Sequence, residues 1–293
     1  MGPALTVVAG PTASGKSSLA LALARQLDAE IVGADSQQVY RHFDLGTAKP
    51  SAEERAAVPH HLASVIDPLE AFSAARYQAL ADAAISDIHA RGKKVVVVGG
   101  TGLYLRVLLH GVVAVVGTDL EVRAELEKSD DAALHARLKQ VDPVTAARLP
   151  VADRVRVIRA LEIQQVSGRA ASVHRAEHAF AADRYPFVLW VLDPPRDALY
   201  AAINARTRRM FEGGLLEEVR SLVAAGFREA APMRSVGYVE ALAVVEGRMS
   251  LETAIAEAAQ RTRHYAKRQL TWFRKEPGAR FLKPPWDLAA LVG

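Results

Sequence analysis

Residues 10–17 read Gly10-Pro11-Thr12-Ala13-Ser14-Gly15-Lys16-Ser17, a G-x-x-x-x-G-K-[ST] pattern that suits phosphate binding. The two glycines let a loop curl until its backbone N–H groups converge on phosphate oxygens. A helix beginning there adds partial positive charge. Lys16 supplies a full charge, and the Ser17 hydroxyl suits a ligand of Mg2+. The pattern implies binding of a di- or triphosphate. It leaves open whether phosphorus is the atom attacked.

A second group follows in Ala34-Asp35-Ser36-Gln37-Gln38-Val39-Tyr40. Asp35 suits a general base or a magnesium partner, and Gln37, Gln38 and Tyr40 add hydrogen-bonding and stacking groups. Thr101, in Gly99-Gly100-Thr101-Gly102, can offer its hydroxyl to a reacting group, and equally can cap a helix over 102–110. Arg206 and Arg209 share a face if 203–210 is helical, with Arg208 displaced; such an arginine can clamp a diphosphate. Lys49, in Asp44-Leu45-Gly46-Thr47-Ala48-Lys49-Pro50, suits an anion, although a surface lysine is the default reading. His60-His61 is a poor metal pair, because neighbouring side chains on an extended chain point apart.

These residues need a scaffold. Runs at 4–9, 30–34, 94–98 and 187–192 read as strands, with a last short one at 279–282; helices are expected over 15–28, 73–91 and 103–110. The valines of 95–98 suit a strand buried on both faces. Strand and helix alternate as in a doubly wound parallel α/β sheet, whose ligands sit beyond the strand C-termini. Asp35 is thereby expected near the phosphate loop. Between 119 and 168 the pattern is helical, interrupted at Pro143 and Pro150, and it stops at Gly168. The expected organisation is a core of 1–116 and 184–293 with a mainly helical insertion at 117–183. From 196 to about 275 helices dominate, interrupted at Gly213-Gly214 and Gly226.

The 293 residues carry a net charge of +4 and no cysteine, which excludes disulfides and a cysteine-based zinc site. The start of the chain has no basic leader-like segment, and the richest apolar stretch, 103–116, is interrupted by Arg106 and His110 and is too short for a bilayer. A cytoplasmic protein is expected. Residues 261–283 hold eight Lys or Arg against one acid, with Tyr265, Trp272 and Phe273 interleaved. That composition suits a phosphate backbone and unpaired bases, or a solvated helix face over core aromatics. On residues alone, a small-molecule kinase and a nucleotide-gated RNA-binding protein remain alternatives to a transferase acting on RNA.

The segments GPTASGKS (10–17), ADSQQVY (34–40), DLGTAKP (44–50), PHHL (59–62), VGGTGLYL (98–105), IRALEI (158–163), SVGYVEAL (235–242) and TRHYAKRQLTWFR (262–274) resemble the tRNA dimethylallyltransferase family along nearly the whole chain. The resemblance implies a P-loop α/β fold. It implies transfer of a dimethylallyl group from dimethylallyl diphosphate to N6 of adenosine 37 of tRNA, with release of pyrophosphate and help from Mg2+. Asp35 then resembles the general base and Thr101 its partner. Gly10, Pro11, Thr12, Ala13, Ser14, Gly15, Lys16, Ser17 and Arg206 resemble the diphosphate site. The resemblance places tRNA contacts at Asp35, Ser36, Gln37, Gln38, Thr101 and Arg123; at Arg159, Ala160, Leu161, Glu162 and Ile163; at Arg234, Gly237 and Tyr238; and at Lys267, Arg268, Gln269, Trp272 and Arg274. It also implies a monomer.

Overall fold

A computed structural model describes residues 4–111, 117, 119–178, 183–288 and 291. The runs read as strands are strands: β1 (Leu5–Ala9), β2 (Ala29–Gly33), β4 (Lys94–Gly99), β5 (Phe187–Leu192) and β6 (Ala279–Leu282). One further strand, β3 (His60–His61), lies in the stretch that reads as loop. All pair in parallel, in the order β3-β2-β4-β1-β5-β6. Val7, Val8, Val96 and Val97 are buried, as the unbroken apolar runs require of strands covered on both faces.

Helix α1 (Lys16–Leu27) follows β1 directly and buries Leu19, Ala20, Leu23 and Ala24. The short α2 (Ala52–Ala57) is closed by a capping box, Ser51 Oγ accepting from Glu54 N while Glu54 accepts from Ser51 N. Helix α3 (Ala74–Ala90) buries Tyr77, Ala81, Ile85 and Ile88 at helical spacing. Helix α4 (Gly102–His110) leaves the end of β4.

The chain forms two compact units, Met1–Leu109 with Arg184–Gly293, and His110–Asp183. The second contains α5 (Leu120–Glu127), α6 (Asp131–Val141), the one-turn α7 (Pro143–Ala146), α8 (Arg154–Ser167) and α9 (Ala171–His178). Its core is built from Leu126, Leu134, Leu138, Val157, Ile158, Leu161 and Ile163. Side chains of Asp119, Asp130 and Asp142 cap α5, α6 and α7. The described residues of this unit contain no strand.

In the larger unit, β5 leads into α10 (Arg196–Met210). A widened turn over Phe211–Leu215, with Gly214 at φ 106°, breaks the helix before α11 (Leu216–Ala224), at the Gly213-Gly214 pair. Helices α12 (Tyr238–Val245) and α13 (Leu251–Phe273) complete it. Phe211, Leu215, Met233, Tyr238, Ala254 and Ala258 form a core that also takes in Phe43. Among the described residues no helix is long and apolar enough to cross a membrane.

Candidate functional site

The sheet order places the site. β4 lies between β1 and β2, so the loops leaving all three strands stand side by side at their C-terminal ends. They carry Gly10–Ser17, Thr101 and Asp35. The fit is close: Thr101 N donates to Ala34 O at 3.2 Å, and a Cβ on Gly99 would lie 2.1 Å from that oxygen.

The loop after β1 is a closed cradle. Gly10 sits at φ +149°, where a Cβ would meet Leu192 Cβ at 3.1 Å and Ser14 Oγ at 3.2 Å. Only glycine fits this turn. Ser14 Oγ is buried without a partner among the described residues, an orphaned hydroxyl inside the loop. Arg206, from α10, donates from Nη1 to Thr12 Oγ1 at 3.2 Å. Burial pushes the Lys16 ammonium down to about 8; the Asp35 carboxylate opposes the shift and Arg206 reinforces it. Burial also lowers Arg206, again opposed by Asp35. Two cations and one carboxylate thus face a common space, with the cations held at an electrostatic cost that an anionic ligand would relieve.

Asp35 is fixed by its own loop. Oδ1 accepts from Gln37 N at 2.8 Å and Gln38 N at 3.3 Å. Thr101 Oγ1 accepts from Ser36 N at 3.0 Å and donates to Ser36 Oγ at 3.4 Å. Gln38 Nε2 donates to Thr47 O and Ala48 O, tying this loop to residues 44–50. A cavity of about 1100 Å³ joins the two ends; Thr12, Lys16, Ser17, Asp35, Arg206 and Tyr265 are among its walls. Thr101 is bonded to Ser36 of the Asp35 loop and is partly exposed. Arg209 lines the cavity, whereas Arg208 pairs with Glu252 outside it.

With this geometry in view, the kinship is informative. A family model described as IPP transferase matches residues 38–276. The tRNA dimethylallyltransferase of Myxococcus xanthus is 65% identical over 295 residues, covering 99% of this chain and 96% of that protein. That of Geobacter sulfurreducens is 47% identical, covering 96% and 92%. Among solved structures, the tRNA isopentenylpyrophosphate transferase of Bacillus halodurans superposes with a TM-score of 0.70 at 39% identity, covering 95% of this chain and 89% of that one. A eukaryotic dimethylallyltransferase acting on tRNA reaches a TM-score of 0.84 at 29% identity, covering 96% and 74%.

The chain belongs to the IPP transferase family.

In this IPP transferase, the stretches that resemble tRNA contacts divide by exposure. Lys267, Arg268 and Arg274 are exposed on or just beyond α13, and Arg234 is exposed before α12. Tyr238 is not a surface group: it is fully buried, its hydroxyl bonded to Glu218 and accepting from Gly46 N at 3.2 Å. Gly237 N is taken by Glu240 Oε2 at 2.7 Å. Trp272 packs over Gly102 and carries the Arg106 guanidinium 4.4 Å from its ring, so only part of it reaches solvent. Gln269 is buried.

In the helical unit the division is sharper. Ala160, Leu161 and Ile163 lie in the core, and Glu162 is wholly buried. Arg123 and Arg159 are half-buried against Glu162, at 3.4 and 2.7 Å. Glu162 Oε1 also accepts from Asp119 N at 2.9 Å. A helix turns each successive side chain by about 100°, so five consecutive residues cannot share one outward face. Arg154 is occupied by Glu127 O, Ser129 O and Asp131.

Two residues gain weight beyond what their sequence patterns assign. Tyr265, one turn before Gln269, lines the same cavity and stays partly exposed; desolvation of its hydroxyl end and the nearby Asp35 charge push its phenol up to about 12. Lys49 is no surface lysine. Its ammonium is enclosed, bonded to Tyr40 O and to Asp44 Oδ1 at 2.6 Å. His60 and His61 point to different partners, Val58 O and Glu30.

Proposed function

We propose that this IPP transferase moves a dimethylallyl group from dimethylallyl diphosphate to N6 of adenosine 37 of tRNA, releasing pyrophosphate. One observation carries the reading: Asp35 and the cationic cradle of Lys16 and Arg206 open into a single cavity. N6 attacks the allylic carbon, the carbon–oxygen bond breaks, and its electron pair leaves with the diphosphate. The proton lost by N6 goes to the Asp35 carboxylate. That removal matters because the amine's lone pair is delocalised into the purine and is a weak nucleophile. Lys16, Arg206 and the loop N–H groups offset the charge that develops on the leaving oxygens.

Divalent metal fits this donor set. Among the described residues no group of three or more His, Asp or Glu stands ready to cage an ion. Magnesium is commonly held by one or two protein oxygens together with phosphate oxygens and water, and Ser17, on the cavity wall, is the hydroxyl that would hold it. Bound there, Mg2+ would supply further charge neutralisation to the departing diphosphate. The target base must leave its stack to reach Asp35, at a cost of about a few kcal/mol. The exposed cations of α13 suit the RNA backbone that would offset that cost. Action as a monomer in the cytoplasm is part of the same proposal.

The test is mass analysis of tRNA after incubation with dimethylallyl diphosphate. One C5H8 unit added at adenosine 37 is expected. Transfer from ATP instead, with no label passing from the allylic donor to tRNA, would establish a kinase.

A further inference from the structure

Thr12 lies at the front of the phosphate cradle, and its backbone N–H is already engaged. It donates to Gln269 Oε1 at 2.8 Å, a bond between residues 257 apart in sequence. The same side chain donates from Nε2 to Gly100 O at 2.8 Å. Gln269 is buried at the cavity's edge, and both ends of its amide are bonded to loop backbone. The space is filled: a Cβ on Gly100 would come within 2.3 Å of Gln269 Nε2. Arg206 holds Thr12 from the other side, through its hydroxyl. A carboxamide is the group that can accept from one loop and donate to the other at once. A contact to RNA would require this amide to abandon two buried backbone groups, which is costly.

We infer that Gln269 is a positioning residue for the diphosphate cradle, locking the loop after β1 to the loop after β4, and is not a reader of tRNA. The inference rests on the cradle being the diphosphate site. It assigns different tasks to neighbours on α13: Lys267, Arg268 and Arg274 face outward to RNA, while Gln269 fixes the distance between the leaving group's seat and the loop that carries Thr101.

The experiment measures binding of inorganic pyrophosphate and of tRNA separately, by calorimetry and by fluorescence anisotropy. Gln269→Met removes both hydrogen bonds without adding charge. It is expected to weaken pyrophosphate binding by about tenfold or more, the scale of one buried hydrogen bond left unmade, with tRNA affinity within about twofold of wild type. Gly100→Ala leaves Gln269 in place and pushes its amide aside, so it should reproduce the pyrophosphate defect; the double variant should lose little more than either alone. In the unmodified protein, the Thr12 amide hydrogen should exchange slowly without any ligand. Weakened tRNA binding with unchanged pyrophosphate binding overturns the inference, as does rapid Thr12 exchange. Wild type and both variants binding pyrophosphate equally well overturns it alone. Failure of wild type to bind pyrophosphate overturns the proposed function, and the inference with it.

Discussion

The loop at 10–17 and the helix α8 are both short contiguous stretches that resemble ligand-contacting segments, yet they are built in opposite ways. In the loop, contiguity suits a common role, because a curled backbone can turn neighbouring N–H groups toward one point, even with Thr12 N taken by Gln269. In α8, contiguity works against a common role. Arg159 reaches the surface of the helical unit, while Ala160, Leu161 and Ile163 turn into its core and Glu162 is buried beside them. A run of residues on a loop can act as one site; the same run on a helix divides between site and support.

The largest effect expected from that division lies in the support. Leu161→Ala should destabilise the protein by about 2–5 kcal/mol, the range for truncating a fully buried leucine. Thermal unfolding followed by circular dichroism measures it. A loss below about 1 kcal/mol would mean that Leu161 is not in a packed core, and the contrast with the loop would dissolve. Asp35→Ala attacks the other side of the comparison. Turnover should fall about a hundredfold or more while tRNA still binds, because the residue receives a proton and carries little of the affinity. Single-turnover transfer and tRNA anisotropy together test this, and undiminished turnover would remove Asp35 as the base.

The same division explains what could be read in the sequence. β1, β2, β4, β5 and β6 were legible because each is a short, mostly apolar run of four to six residues, broken by at most one polar residue, with turn residues beyond it. β3 was not, since two histidines paired with Ile31 and Val32 carry no periodicity. Asp35 was legible through topology: strand ends in an open parallel sheet gather ligands wherever they fall in sequence. The contact of Gln269 with Thr12 joins opposite ends of the chain, and no local pattern announces it. A partial signal did exist. Ala266, Gln269 and Phe273 fall at helical spacing and are all buried, so Gln269 is a polar residue on an apolar stripe. Such a residue is more often paired inside than offered to a ligand. Lys49 gave no such warning, because its enclosure depends on Tyr40 and Asp44 folding around it.

A smaller effect comes from Lys16, and it sharpens the electrostatic half of the comparison. An ordinary lysine titrates near 10.5, whereas burial pushes the Lys16 ammonium down to about 8. The charged form is the one that attracts a diphosphate. Affinity for an allylic diphosphate should therefore hold below pH 8 and fall above it, by at most about tenfold per pH unit. Calorimetric titrations from pH 7 to 9.5 follow the change. Lys16→Arg should flatten the profile, since a guanidinium keeps its charge throughout. A wild-type profile as flat as that of the arginine variant would show that Lys16 is not the group that titrates against the ligand.

The smallest effect per residue belongs to the outward face of α13 and the residue that follows it, where function is spread over several charges. Each phosphate contact by a lysine or arginine releases counterions and contributes about 0.7–0.9 to the slope of log affinity against log salt. Replacing Lys267, Arg268 or Arg274 singly with glutamine should reduce that slope by about one and weaken tRNA binding evenly across sequences. Arg261 provides the contrast on the same helix. Its guanidinium is tied to the buried Glu240, so Arg261→Gln should lower stability and leave the salt slope nearly unchanged. If all four substitutions flattened the slope equally, the distinction between braced and outward-facing cations would fail. An unaltered slope for Lys267, Arg268 and Arg274 would instead move the RNA-binding face away from α13.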